Sequence, residues 1–222
     1  MSNPQDKRDT IVSVLYSAVL SDVLDSFGYS AQAMRPFVRP LDESLVLFGR
    51  VRTGLYMNRF EVAPDENPYE VEIALIDDLK PGDVAVLGCD GPTERIAPWG
   101  ELLTTASRAR GAAGCVTDGL IRDTKRIREM AFPVFHGGIG PLDSRGRSRM
   151  MEMDCRIVCG GVELRTNDWI FGDADGVVVI PQEIADQVFT VAEEKVTAED
   201  RSREDLIAGR LLRDVYEAYG VL

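Results

Sequence analysis

Residues 98–135 read PWGELLTTASRARGAAGCVTDGLIRDTKRIREMAFPVF, and their pattern decides the fold class. The spacing predicts a helix over 98–110, a buried strand at 114–117, a short helix over 124–130 and another strand at 132–135. Strands that alternate with helices in this way pair in parallel, each helix serving as a crossover. Upstream, the turn Pro81-Gly82-Asp83 precedes a strand at 84–87, and Asn67-Pro68 caps a helix striped by Val71, Ala74, Leu75 and Leu79. Residues 45–56 alternate as a strand, and residues 10–27 carry one helical stripe from Ile11 to Phe27, closed by Gly28. Downstream, Ile157-Val158 and 162–164 flank Gly160-Gly161 as a hairpin, and 177–180 follows the turn Gly172-Asp173-Ala174-Asp175-Gly176. Pro181 opens a helical region reaching Tyr219, with a break expected near 197–202. The expectation is one α/β domain over 1–196, with mixed sheets and helical arms at both ends, followed by a helical extension over 197–222.

Composition narrows the function. The 222 residues are 45% apolar and 28% charged, enough to bury a core. No apolar run approaches the roughly 18 residues of a membrane span, and the start MSNPQDKRDT lacks the layout of a signal peptide. A net charge of −12 argues against a nucleic-acid surface and leaves small molecules or proteins as partners. Residues 60–94 carry ten acids and one base, and 183–222 carry ten acids and five bases, so the remainder is nearly neutral. Both acidic segments read as solvated surface. Cys89, Cys115, Cys155 and Cys159 form no CxxC, which suits a reducing cytoplasm and offers no structural zinc site. His136 is the single histidine, a strand-end residue, so proton transfer falls to carboxylates, water or a metal ion.

Two tempting motifs fail. Counted from Asp173, a calcium loop would need glycine and glutamate where Val178 and Ile184 stand. Gly137-Gly138-Ile139-Gly140 lacks the dinucleotide spacing and runs into proline. More informative is Trp99-Gly100-Glu101-Leu102-Leu103, which opens a helix and so presents unpaired N–H groups to a carboxylate or phosphate. Arg122-Asp123 follows a strand and the turn Asp118-Gly119, at the end of a parallel sheet where ligands bind. An Arg-Asp pair there serves either a structural ion pair or chemistry.

The runs Gly82-Asp83-Val84-Ala85-Val86, Trp99-Gly100-Glu101-Leu102-Leu103-Thr104-Thr105-Ala106, Arg110-Gly111-Ala112-Ala113-Gly114, Thr117-Asp118-Gly119, Arg122-Asp123, Phe132-Pro133-Val134-Phe135 and Asp173-Ala174-Asp175-Gly176-Val177-Val178-Val179-Ile180-Pro181 together resemble a family. It is the family of 4-hydroxy-4-methyl-2-oxoglutarate/4-carboxy-4-hydroxy-2-oxoadipate aldolases, which also contains the regulator of ribonuclease activity A. The resemblance covers residues 10–195 in order; residues 196–222 fall outside it. It implies a swivelling β/β/α core, a homotrimer or hexamer with sites between subunits, and class II pyruvate-aldolase chemistry with Mg²⁺ or Mn²⁺ and no lysine imine. The family pattern is an acid, twenty residues, then Arg-Asp. Glu101 and Arg122-Asp123 meet it, with glutamate where the aldolases carry aspartate.

The resemblance also implies roles. Asp123 holds the metal, and Arg122 pairs with the oxygen that becomes the enolate. The helix start at Gly100, with the amides of Leu102 and Leu103, binds the substrate carboxylate. Glu101 orients or deprotonates a water that takes the 4-hydroxyl proton. The substrate is then a 4-hydroxy-2-oxo acid cleaved to pyruvate and a second oxo acid, with oxaloacetate decarboxylation as a side activity through the same enolate. The rival reading is a non-catalytic regulator that meets a basic partner with its acidic surface; the regulator lacks the acid, so Glu101 favours an enzyme. The apolar set Leu206, Ile207, Leu211, Leu212, Val215 and Tyr219 buries a helix face against the chain's own core or a neighbouring copy, where Glu193, Glu194 or Glu199 reach the metal's waters.

Overall fold

The computed structural model describes residues 11–221. In chain order it forms α1 (Ser17–Ser26), β1 (Arg39–Pro40), β2 (Leu47–Asn58), α2 (Glu70–Asp78), β3 (Asp83–Gly88) and α3 (Glu101–Ala109). There follow β4 (Gly114–Thr117), β5 (Leu120–Ile121), α4 (Thr124–Glu129), β6 (Val134–His136), β7 (Gly138–Ile139) and β8 (Ser148–Met153). The hairpin of β9 (Ile157–Cys159) and β10 (Val162–Leu164) comes next, then β11 (Trp169–Gly172), β12 (Val177–Ile180), α5 (Ala185–Ile207) and α6 (Leu212–Tyr219).

The twelve-residue β2 organises the sheet. Its Arg50 to Leu55 run pairs in parallel with β3, while its other edge serves β11 over Leu47 to Arg50 and β8 over Gly54 to Asn58, both antiparallel. The β2–β8 register shifts between Leu55 and Tyr56, where Met151 of β8 is the extra residue of a bulge. The main path is β1-β6-β4-β3-β2-β11-β12, and β2, β3, β4 and β6 run parallel through crossovers that carry α2, α3 and α4. This is the expected α/β domain with mixed sheets.

Alternation along β3 sends Val84 and Val86 to one face and Ala85 and Leu87 to the other. The first face is covered by the β9–β10 hairpin through Ile157, Cys159 and Val162. The second packs against Leu75, Ile76, Trp99, Ile127 and Phe132 of the helical layer. A third core joins α1 and α5 to Phe48, Phe171, Val178 and Ile180, with Phe48 stacked on Trp169 at 5.0 Å. The layers are thus hairpin, sheet and helices.

Several boundaries differ from the sequence expectation. The first helical stripe is interrupted at Leu15-Tyr16, because Asp173 accepts from both the Ser17 amide (2.8 Å) and hydroxyl (2.7 Å) and restarts the helix there. The Asn67 side-chain oxygen Oδ1 accepts the Tyr69 N–H at 3.0 Å in a turn, so α2 begins at Glu70. No break occurs near 197–202; α5 runs unbroken across the 196/197 boundary. Thr197 and Ser202 return their hydroxyls to the carbonyls of Glu193 and Ala198, and the chain breaks after Ile207, where Gly209 takes a φ of 90°. The signal-peptide reading concerned residues 1–10, outside the described residues. Among those described, no helix is long and apolar enough to cross a membrane.

Gly49 of β2 lies against the turn before β3: a methyl group there would sit 2.2 Å from the Gly82 carbonyl oxygen and 2.9 Å from Val84. Gly49→Ala should therefore destabilise the protein by about 1–3 kcal/mol, read as a lowered urea midpoint.

Candidate active site

Chain segments leaving the carboxyl ends of β2, β3 and β4 converge at one end of the sheet, the usual binding position in such folds. Asp118, just past β4, ties the start of the segment after β3 to the β9–β10 turn: its buried carboxylate accepts N–H groups of Cys89 (2.7 Å), Gly91 (2.9 Å) and Gly160 (3.3 Å). Burial raises its pKa and those donors oppose the rise.

Trp99 sets the start of α3. Its fully buried ring stacks on Phe132 and its N–H donates to Thr104 at 2.8 Å. Thr104 in turn donates its hydroxyl to the Gly100 carbonyl at 2.9 Å. The Trp99 carbonyl accepts the Arg122 N–H at 3.0 Å, and Trp99 bridges Ile121 in parallel. The helix start is thereby locked beside the end of β5. Gly100 permits the approach, since a methyl group there would lie 2.7 Å from the Asp123 carboxylate. The first intrahelical bond runs from Thr104 N–H to Gly100, so the Leu102 and Leu103 amides have no helical acceptor.

Asp123 holds a left-handed conformation (φ 58°), which aspartate tolerates better than most residues. Its carboxylate accepts the Glu101 N–H at 3.2 Å. Arg122 lies 3.8 Å from both Asp123 and Asp143, beyond hydrogen-bond reach. Among the described residues none of its side-chain N–H groups donates to a protein acceptor, so the guanidinium fork stands ready for a ligand.

A cavity of about 290 Å³ collects these groups. Gly100, Leu102, Leu103, Arg122 and Asp123, all named from the sequence, line it together. Glu101 does not line it: its carboxylate accepts the Thr105 hydroxyl at 3.0 Å along its own helix. A second hollow, also bordered by Arg122 and Asp123, is walled by Ile139, Gly140 and Pro141. His136 lines neither cavity; burial drops its pKa to about 4 and leaves it neutral. Burial likewise pushes the Cys89, Cys115 and Cys159 thiols up, in keeping with core positions.

Sequence reading missed Tyr69, Glu72 and Asp143, which also line the cavity. The Tyr69 hydroxyl donates to Asp143 at 2.8 Å. Although burial alone would raise it, Tyr69, the Arg145 amide and Arg122 hold the Asp143 carboxyl below its usual range. Glu72 is buried and accepts the Tyr56 hydroxyl. Burial pushes its pKa up to about 7, against the opposing pull of Tyr56 and Arg122. The available signal was an acid three and four residues before Leu75 and Ile76, on the apolar face of α2.

The residues fit a hard divalent cation. Asp123 is a half-exposed carboxylate bordering both hollows, and Mg²⁺ accepts one such ligand with water in its other positions. No cluster of three or more acidic, histidine or cysteine side chains that could hold a metal ion occurs among the described residues.

Fold and cleft define an α/β protein with a pocket at the carboxyl ends of its parallel strands, lined by the start of α3, one guanidinium and three carboxyl groups. The chain belongs to the RraA-like family, whose model (Aldolase/RraA) matches residues 17–179. It is 32% identical over 193 residues to a Halalkalibacterium halodurans protein named "Putative 4-hydroxy-4-methyl-2-oxoglutarate aldolase", covering 87% of this chain and 85% of that one. A solved protein from Pseudomonas syringae pv. tomato superposes with a TM-score of 0.85 at 25% identity, over 99% of this chain and 96% of the other. Streptomyces coelicolor RraAS2, described as an unusual member of the RNase ES inhibitor RraA protein family, superposes at 0.78 with 25% identity, over 91% and 98% of the two chains.

Glu72 makes stability depend on pH. Its carboxyl titrates near 4.5 when unfolded and near 7 when folded, so the folded state binds the extra proton between those values and wild-type stability falls as pH rises through them. Glu72→Gln keeps an acceptor for Tyr56 and removes the ionisation. The variant should gain on the order of 3 kcal/mol over wild type at pH 8 relative to their difference at pH 4, measured by urea unfolding at both pH values.

Proposed function

We propose that this protein is a divalent-metal-dependent class II pyruvate aldolase that cleaves a 4-hydroxy-2-oxo acid, such as 4-hydroxy-4-methyl-2-oxoglutarate, to pyruvate and a second oxo acid. The observation that carries the reading is the unspent Arg122 guanidinium, facing the α3 amides in the same cavity as Asp123. The names of the aldolase relatives support it.

The substrate carboxylate is received by the Leu102 and Leu103 amides, where the helix dipole favours negative charge. Asp123 holds Mg²⁺ or Mn²⁺, which supplies Lewis acidity to the 2-oxo group when bound. Arg122 donates its planar fork to the oxygen on which charge develops as the C3–C4 bond breaks, stabilising the enolate more than the ketone. Glu101, on the first turn of α3 just outside the cavity wall, orients the water that takes the 4-hydroxyl proton once its carboxylate leaves Thr105. Oxaloacetate loses CO₂ to the same enolate, so the site also decarboxylates it.

The substrate is a small molecule, and the working form is a homo-oligomer, a trimer or hexamer, in the cytoplasm. Ile73, Leu102 and Ile139 around the cleft are exposed, as are Ile207, Leu211 and Leu212 on the C-terminal arm, and a neighbouring copy gives these apolar side chains a partner. A second reading is favoured by the kinship with RraAS2 and the acidic stretch 60–94: a non-catalytic regulator of a basic partner. Pyruvate release separates the two.

With a panel of 4-hydroxy-2-oxo acids, pyruvate release should vanish in EDTA and return with Mg²⁺ or Mn²⁺. Full turnover in chelator, or a lysine imine trapped by borohydride, would overturn the metal-dependent reading. Arg122→Lys keeps the charge but loses the fork, and kcat should fall by about 10²-fold or more; a variant within twofold of wild type removes Arg122 from the enolate site. Glu101→Gln should cut aldol cleavage by roughly 10²–10⁴. Oxaloacetate decarboxylation, which has no hydroxyl proton to remove, should suffer far less. Equal losses in both reactions would assign Glu101 to structure.

A further inference from the structure

Four carboxyl groups stand in or beside the cleft, and their surroundings divide the labour. Asp123 faces the guanidinium and the Glu101 amide. Asp143 accepts the Tyr69 hydroxyl and opposes Arg122, so it stays an anion at neutral pH. Glu101 is engaged by Thr105 outside the cavity wall. Glu72 differs from all three. It is 8% exposed and lines the cavity. Its Oε2 accepts from Tyr56; among the described residues no donor takes Oε1, and that oxygen is not sealed from solvent. The carboxyl thus lines the space bounded by Arg122 and the α3 start and keeps one oxygen that no protein donor takes.

We propose that Glu72 is a catalytic acid–base residue that carries the proton to and from C3 of the pyruvate half, an assignment that rests on the aldolase reading. When C3–C4 breaks, its electron pair forms the C2=C3 enolate, with negative charge on the C2 oxygen. The Glu72 O–H proton then passes to C3. The C2=O double bond reforms, pyruvate leaves, and Glu72, now a carboxylate, regains a proton from water. In the reverse direction the carboxylate takes a methyl proton from pyruvate.

The surroundings suit that duty. Facing Glu72 are Tyr56 from β2, Arg122 from the end of β5, and Asp143 from the loop before β8; Cys89 and Cys115 lie beside Tyr56. Tyr69, one turn before Glu72, feels the charges of both Glu72 and Arg145, and Arg149 of β8 is taken by Glu66 and Glu70. Burial, then the Glu72 charge, raise the Tyr56 hydroxyl well above its usual value, so it stays a donor throughout. A carboxyl titrating near 7 exchanges protons with carbon acids more usefully at neutral pH than one near 4.

The test is deuterium exchange into the pyruvate methyl group, followed by proton NMR in D₂O with Mg²⁺, beside pyruvate release from the 4-hydroxy-2-oxo acid panel and a melting curve. Wild type should exchange, with a rate that rises through about pH 7 and then levels. Glu72→Gln should lose about 10²-fold or more of the exchange while melting no lower than wild type at pH 8. Tyr56→Phe, which removes the hydrogen bond favouring the carboxylate, should move the inflexion to higher pH. Exchange by Glu72→Gln within twofold of wild type overturns the assignment and leaves the aldolase reading standing. If Glu72→Gln melts low, Tyr56→Phe decides: an inflexion that does not move overturns the assignment. A wild type that neither exchanges nor releases pyruvate overturns both.

Discussion

The indole of Trp99 is the joint on which the cleft hangs. Its ring is sealed against Phe132, its N–H is bound to Thr104, and its carbonyl takes the Arg122 amide. One residue therefore ties the first turn of α3 to the end of β5, two elements that the chain reaches twenty residues apart. Because a buried indole must satisfy its N–H, the Thr104 hydroxyl is held between it and the Gly100 carbonyl, and the helix start has one geometry. Gly100 follows from that lock: the backbone runs so close to Asp123 that a side chain would strike its carboxylate. Amides, guanidinium and carboxylate reach the cavity already aimed, which is what stabilising developing charge requires.

A second constraint is electrostatic. The cavity wall carries one guanidinium against the carboxyls of Glu72, Asp123 and Asp143. Such a concentration of acid holds together because each carboxyl has its own partner: Tyr56 for Glu72, the Glu101 amide for Asp123, Tyr69 for Asp143. The partners also sort the acids. Asp143 is driven towards the anion and Glu72 towards the acid, so one small space holds both a fixed charge and an exchangeable proton.

The assignments made from sequence and those it missed follow the range of the forces involved. Arg122-Asp123 was legible because a strand, a turn and an ion pair in succession is a local pattern, and the helix start at Gly100 was legible from chain chemistry alone. The acid at 72 was visible as a charge on an apolar face, but its destination was not. Whether it faced solvent, a structural partner or the cleft depended on how α2 sits on β2 and on the loop at Asp143, 71 residues away in the chain. The break expected near 197–202 failed for the opposite reason. Thr197 and Ser202 disfavour a helix only until their hydroxyls find carbonyls one turn back.

By itself the sequence determined the alternation of strands and helices, the parallel core they imply, the family to which the chain belongs and the residues at the start of α3 and the end of β5. Those are consequences of periodicity and capping, which act over a few residues. Only the tertiary structure decided that Glu101 turns along its own helix, that Arg122 keeps its fork free, and that Glu72 and Asp143 join the cleft. These are matters of which side chains from distant segments meet, and the meeting is set by the packing of α2 and α3 against one face of the sheet.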